Sequence, residues 1–219
     1  MIEVKNLKKN FQTRQGSLEI LKGLNFSIQP GEIVAFTGHS GSGKSTLLGL
    51  LAGLDTPTSG DILYKGQSLG TLSPVELQNF RARNLSLIFQ NYYLIPHLTA
   101  LENVQLPLQI LGLHDQIPDA KRLLQEVGLQ DRLHHFPSEL SGGESQRVAI
   151  ARGLAVKPMV LFADEPTGSL DSETGSKVMT LYFDLVRKFK LTSIIVTHNQ
   201  ELAELCDRQF RLAQGVIAT

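Results

Sequence analysis

Apolar and polar residues alternate along the first part of the chain, then give way to short unbroken apolar runs, then to helical spacing, and finally to apolar runs again. Ile2 and Val4 alternate with Glu3 and Lys5, and the stretches Leu18 to Leu21 and Leu24 to Ile28 read the same way. This predicts an antiparallel sheet at the start, closed by a Pro30-Gly31 turn. Ile33 to Phe36 is apolar at every position, as a strand covered on both faces requires, and Lys44 to Gly53 has helical spacing. Asp61 to Tyr64 and Ser86 to Phe89 are further strands. Residues 91–157 read as mostly helical: Thr99 and Glu102 have capping-box spacing, Pro118-Asp119 opens a helix and Gly128 can end it. Past Pro158 the strand pattern returns in Met159 to Ala163, followed by a helix near Ser172 to Lys190 and a strand from Leu191 to Val196. Residues 1–219 therefore read as one α/β domain whose strands flank a helical insertion at 91–157, without internal repeat or linker.

Three segments carry chemistry. Gly38-His-Ser-Gly-Ser-Gly-Lys44-Ser45 fits Gly-x-x-x-x-Gly-Lys-Ser and has a strand before it and a helix after it, the context that a Walker A loop requires. Gly38, Gly41 and Gly43 let the backbone wrap phosphate oxygens, Lys44 brings charge to the terminal phosphates, and Ser45 can ligate Mg²⁺. Leu140-Ser-Gly-Gly-Glu-Ser-Gln-Arg147 is a second anion-binding sequence: Ser141 and Glu144 form a capping-box pair, so a helix starts at Ser141 with the amides of Gly142 and Gly143 facing outward. Met159 to Glu165 is an apolar strand that ends in Asp164 and Glu165, and two acids at a buried strand end are unfavourable unless a cation or water needs them. Strand alternation points Asp164 and Glu165 in opposite directions, one toward a metal's water shell and the other toward the attacking water.

Together these motifs resemble the ATP-binding subunits of ABC transporters, whose signature is the Leu-Ser-Gly-Gly segment, and the resemblance covers essentially the whole chain. It implies a P-loop NTPase core with a RecA-like parallel sheet, an N-terminal antiparallel β subdomain and an inserted α-helical subdomain. The cofactors it implies are ATP and Mg²⁺. Gly38, His39, Ser40, Gly41, Ser42, Gly43, Lys44, Ser45 and Thr46 would hold the phosphates, with the His39 side chain toward solvent. Asp164, Ser45 and Gln90 would serve Mg²⁺, and Glu165 and His198 would be catalytic. Phe11, standing as a loop aromatic, would stack on adenine, and Asp171 would serve the interface while capping the next helix. Ser141, Gly142, Gly143 and Glu144 would complete the nucleotide site of a second copy, so the implied assembly is a homodimer sandwiching two ATP. Ser145, Gly153 and Ser169 depart from the commonest family pattern; Gly153 in a helix interior costs about 1 kcal/mol relative to alanine.

The segments 93–107 and 162–171 resemble the group that contains lipoprotein-releasing, macrolide-efflux and cell-division ATPases. Such subunits lie at the cytoplasmic face of the inner membrane and drive a separate integral membrane permease-type subunit. Tyr92 to Ile95 reads either as core of the helical part or as a groove for a helix of that partner.

Composition narrows the alternatives. Lys plus Arg number 21 and Asp plus Glu 21, so no net field favours nucleic acid, which disfavours a DNA-repair or translation ATPase. A regulator without catalysis is disfavoured by the presence of Lys44, Asp164, Glu165 and His198. The apolar runs fall far short of the roughly 18 residues of a membrane span, and the first residues lack a signal-peptide pattern. The single cysteine, Cys206, reads as a small buried hydrophobe, and His97, His114, His134 and His135 read as surface residues.

Overall fold

The computed structural model describes residues 1–13 and 16–218, with the Thr13 side chain left aside. Its elements, in chain order, are β1 (Ile2–Thr13), β2 (Gly16–Ile28), β3 (Ile33–Thr37), α1 (Lys44–Leu51), β4 (Ser59–Tyr64), β5 (Gln67–Ser68) and α2 (Pro74–Asn84). There follow β6 (Leu85–Phe89), α3 (Ala100–Ile110), α4 (Asp119–Glu126), α5 (Gly142–Ala155), β7 (Val160–Asp164) and α6 (Ser172–Lys188). The chain closes with β8 (Thr192–Thr197), α7 (Gln200–Glu204), β9 (Arg208–Ala213) and β10 (Val216–Ala218). Two compact units emerge, Met1–Arg81 with Thr192–Thr219, and Ala82–Leu191.

In the first unit an antiparallel sheet has the order β2-β1-β4-β5. The stretches 18–21 and 24–28 belong to one strand, β2, which stays paired with β1 through several register shifts. The P-loop strand β3 pairs in parallel with β8 on one side and β9 on the other, and β10 turns back antiparallel on β9. All five residues of β3 and all six of β8 are buried, which is why their centres, Ile33 to Phe36 and Ile194 to Val196, are unbroken apolar runs. Phe26 of β2, Phe36 of β3 and Phe210 of β9 lie with ring centroids 5.1 to 5.3 Å apart and lock the antiparallel layer onto the parallel strands. The buried Tyr64 hydroxyl donates to the Leu51 carbonyl at 2.7 Å, which fixes β4 to the end of α1.

In the second unit β6 and β7 pair in parallel, Leu85 opposite Val160 through Phe89 opposite Asp164. The helix α5 is buried along most of its length and packs on α3, α4 and β6. A Cβ at Gly153 would meet Leu161 Cδ1 at 3.3 Å and Ile88 Cγ1 at 3.5 Å, so the glycine allows α5 to lie close on the strands. The penalty expected for Gly153 is thus offset by packing.

The short elements β5 and α7 were not anticipated from the pattern, and neither were three further features. The helix α2 is one, and the β9–β10 hairpin another. The third is Cys206, which is half-buried, with Sγ 3.7 Å from the Leu202 carbonyl. His135 is likewise half-buried, whereas His97, His114 and His134 are exposed.

Candidate functional site

At the end of β3 the chain turns through Gly38 to Gly43 into α1. Gly38 has φ 152°, and a Cβ there would lie 2.3 Å from the Leu212 carbonyl oxygen, so no other residue fits. Gly43 occupies the N-cap of α1 at φ 103°, and no side chain caps this helix or places an acid in its first turn. Among the described residues the amides of Lys44, Ser45 and Thr46 have no partner. The Lys44 ammonium donates to the carbonyls of Gly38 at 2.8 Å and His39 at 3.1 Å, which hold it over the loop. The Ser42 hydroxyl is buried without a partner. Unpaired amides, a fixed cation and an orphan hydroxyl in a backbone cradle form a donor set that only an anion completes, and triphosphate oxygens fit it. His39 faces solvent, its Nδ1 2.9 Å from the Ser40 carbonyl.

His198 follows β8 directly and lies on the same cavity, of about 700 Å³, as Gly38 and His39. Gln200, Gln209 and Arg211 also line it, and sequence reasoning missed all three. Phe11 stands on β1 opposite Leu18, rather than in a loop, and is 43% exposed.

The second unit holds the other motif residues. Asp164 closes β7, but Glu165 lies beyond the strand in the left-handed region at φ 46°, so strand alternation does not set its direction. A turn closed by the Gly168 amide on the Glu165 carbonyl at 2.9 Å sets it instead. A non-glycine residue there is strained by about 1 kcal/mol, and such strain gathers at working sites. The buried Gln146 amide of α5 donates to the Pro166 carbonyl at 2.7 Å and anchors that turn.

Gln90 is exposed immediately after β6. The Ser169 hydroxyl donates to its carbonyl at 2.9 Å and sits 3.0 Å from the Tyr92 hydroxyl, so the departure at 169 supplies a bond. A Cβ at Gly168 would fall 2.7 Å from Gln90 Nε2, so the glycine keeps room for that side chain. Asp171 caps α6 by accepting from the Thr174 amide at 3.0 Å, and this bond holds its carboxyl below the usual range. Arg152 of α5 donates to the carbonyls of Tyr92 and Tyr93 at 2.7 and 2.6 Å. Tyr93 and Ile95 are 63% and 41% exposed, which removes the core reading for those two residues.

The signature starts α5 with a complete capping box: Ser141 Oγ accepts from the Glu144 amide at 3.2 Å, and Glu144 accepts from the Ser141 amide at 2.8 Å. The other Glu144 oxygen accepts from Arg132 at 3.0 Å. Its carboxylate is thus engaged within the chain, while the Gly142 and Gly143 amides have no partner among the described residues. The signature alone does not reveal Arg132, which lies upstream of it.

Mg²⁺ suits hard oxygen donors and is usually held by one or two carboxylates with substrate phosphates. Ser45, Asp164 and Gln90 supply oxygens of that kind, and no cluster of three or more His, Cys, Asp or Glu that could form an all-protein metal cage occurs among the described residues. Among them, no helix is long and apolar enough to cross a membrane.

A glycine cradle at a parallel strand's end, an uncapped helix and acids closing another strand define a P-loop nucleoside triphosphatase. The profile of the ABC transporter family matches residues 21–168, and the chain belongs to that family as an ATP-hydrolysing subunit. It is 47% identical over 213 residues to the lipoprotein-releasing system ATP-binding protein LolD of Koribacter versatilis, covering 96% of each. It is 43% identical over 222 residues to the macrolide export ATP-binding/permease protein MacB of Rhodopirellula baltica, covering all of this chain and 32% of that protein. The dimeric post-hydrolysis structure of the ATP-binding cassette MJ0796, bound to ADP and Pi, superposes with a TM-score of 0.89 at 37% identity, over all of this chain and 97% of that one.

Proposed function

We propose that two copies of this chain close around two ATP and drive a separate integral membrane permease-type subunit of the lipoprotein-release or macrolide-export type. The cargo class is taken from the names of the relatives, LolD and MacB. In this reading residues 1–219 act as one ATP-binding domain with a helical subdomain at 91–157, peripheral at the cytoplasmic face of the cell membrane. The observation that carries it is that the chain has both an uncapped start of α1, whose amides await phosphate, and a second exposed helix start at Ser141.

Lys44 and the loop amides bind the triphosphate of the same chain, and Gly142 and Gly143 present amides to the triphosphate of the partner. Ser45, Asp164 and Gln90 would hold Mg²⁺, which when bound would neutralise phosphate charge. Glu165 orients and deprotonates the attacking water, His198 fixes the terminal phosphate, and Phe11 carries the adenine. Exposed Tyr93 and Ile95, tethered through their loop to Arg152, form the face that meets the membrane subunit.

Glu165→Gln preserves shape but removes the base. Turnover falls by more than about 100-fold, and with ATP the chain runs as a dimer on gel filtration. Near-normal turnover rejects Glu165 as the base.

A further inference from the structure

Lysine is seldom buried without a partner, and Lys9 of β1 is only 9% exposed. Its ammonium donates to Asp55 at 2.7 Å and to the Thr56 carbonyl at 2.8 Å, which fixes its position. Burial pushes the Asp55 carboxyl up, but the Lys9 hydrogen bond, the Thr56 amide and the Lys9 charge together hold it below its ordinary value, so Asp55 is a carboxylate at neutral pH. The same ammonium lies 5.0 Å from the ring centroid of Phe11, within cation–π range. Phe11, at 43% exposure, thus has a cation beside its ring and surface left open to solvent.

We propose that Lys9 is a positioning residue for the nucleotide base. Clamped by Asp55 and Thr56, it fixes the Phe11 ring before ATP arrives, which reduces the ordering needed on binding. Its charge also draws π density toward itself, leaving the open surface of the ring electron-poor and suited to an electron-rich purine. The inference rests on the reading of Phe11 as the adenine platform and adds what prepares it.

The test is titration of the full chain with two probes, ATP and inorganic tripolyphosphate, which lacks the base. Lys9→Met keeps the apolar stem and removes the charge. ATP affinity falls about fivefold, tripolyphosphate affinity stays within about twofold, and Lys9→Arg restores most of the loss. KM for ATP rises in step with the affinity loss, while kcat at saturating ATP changes by less than about twofold. Asp55→Asn, at a side chain 41% exposed, loosens the clamp and gives a smaller loss of the same kind, which keeps the test open should Lys9→Met fold poorly. Equal losses for both probes, or none for ATP, overturn the proposal. Phe11→Ala separates the two readings. If it leaves ATP affinity unchanged, the adenine platform itself fails. If it weakens ATP while Lys9→Met does not, only the role of Lys9 fails.

Discussion

The helices α1 and α5 both begin at glycine-rich segments with unpaired amides, yet they are built in opposite ways. At α1 the N-cap is a glycine in the left-handed region and no side chain caps the helix. At α5, Ser141 and Glu144 cap each other, and Arg132 secures the free Glu144 oxygen. A helix start without caps is incomplete on its own and gains most from an anion, whereas a capped start is already stable. The difference suits the two roles proposed: the α1 site binds ATP by itself, and the α5 tip must keep its shape until a partner's nucleotide reaches it.

The glycines sharpen this contrast most strongly. Gly38→Ala drives a Cβ against the Leu212 backbone oxygen at 2.3 Å, so unfolding measurements show a loss of about 3 kcal/mol and ATP binding disappears. Gly142→Ala meets the Tyr92 hydroxyl at 2.9 Å and Leu170 Cδ2 at 3.1 Å, both at the ends of side chains that can move, and no backbone atom. It changes stability by less than about 1 kcal/mol and leaves monomeric ATP binding intact. Equal destabilisation by the two variants removes the distinction between a rigid cradle and a tolerant tip.

How much of this was legible follows the range of the signals. The P-loop, the signature cap and the acids at the end of β7 are local patterns and read directly. The helix α2 had a local signal too, since Ser73 accepts from and donates to Glu76 around Pro74, but it has no buried residue and so no apolar period to draw attention. The β9–β10 hairpin turns on Gln214-Gly215, at φ 49° and 82°, where the glycine is common and the glutamine is not. The burial of Lys9 has no local signal, because its partner, Asp55, lies 46 residues away. Glu165 was misdirected because a turn, which no alternation pattern announces, begins right after Asp164.

A smaller effect probes the α5 cap through pH. Hydrogen bonding to the Ser141 amide, chiefly, with help from its hydroxyl and Arg132, holds the Glu144 carboxyl below 4.5 against the opposing effect of burial. A depressed folded value means that the stabilisation is fully present above about pH 4.5 and is lost as pH falls through the lower folded value. Glu144→Gln therefore lowers Tm at about pH 6 and narrows the gap to wild type at about pH 3.5. A gap independent of pH shows that the carboxylate charge does not secure the cap.

The central claim is that one chain carries half of each of two nucleotide sites, and two variants in the Glu165→Gln background test it. ATP affinity of the dilute monomer and ATP-dependent dimerisation are measured for Lys44→Ala and Ser141→Arg, by nucleotide titration and sedimentation velocity. The account predicts that Lys44→Ala loses both, while Ser141→Arg keeps monomeric affinity within about twofold and stays a monomer at saturating ATP. Equal loss of monomeric ATP affinity in the two variants contradicts it.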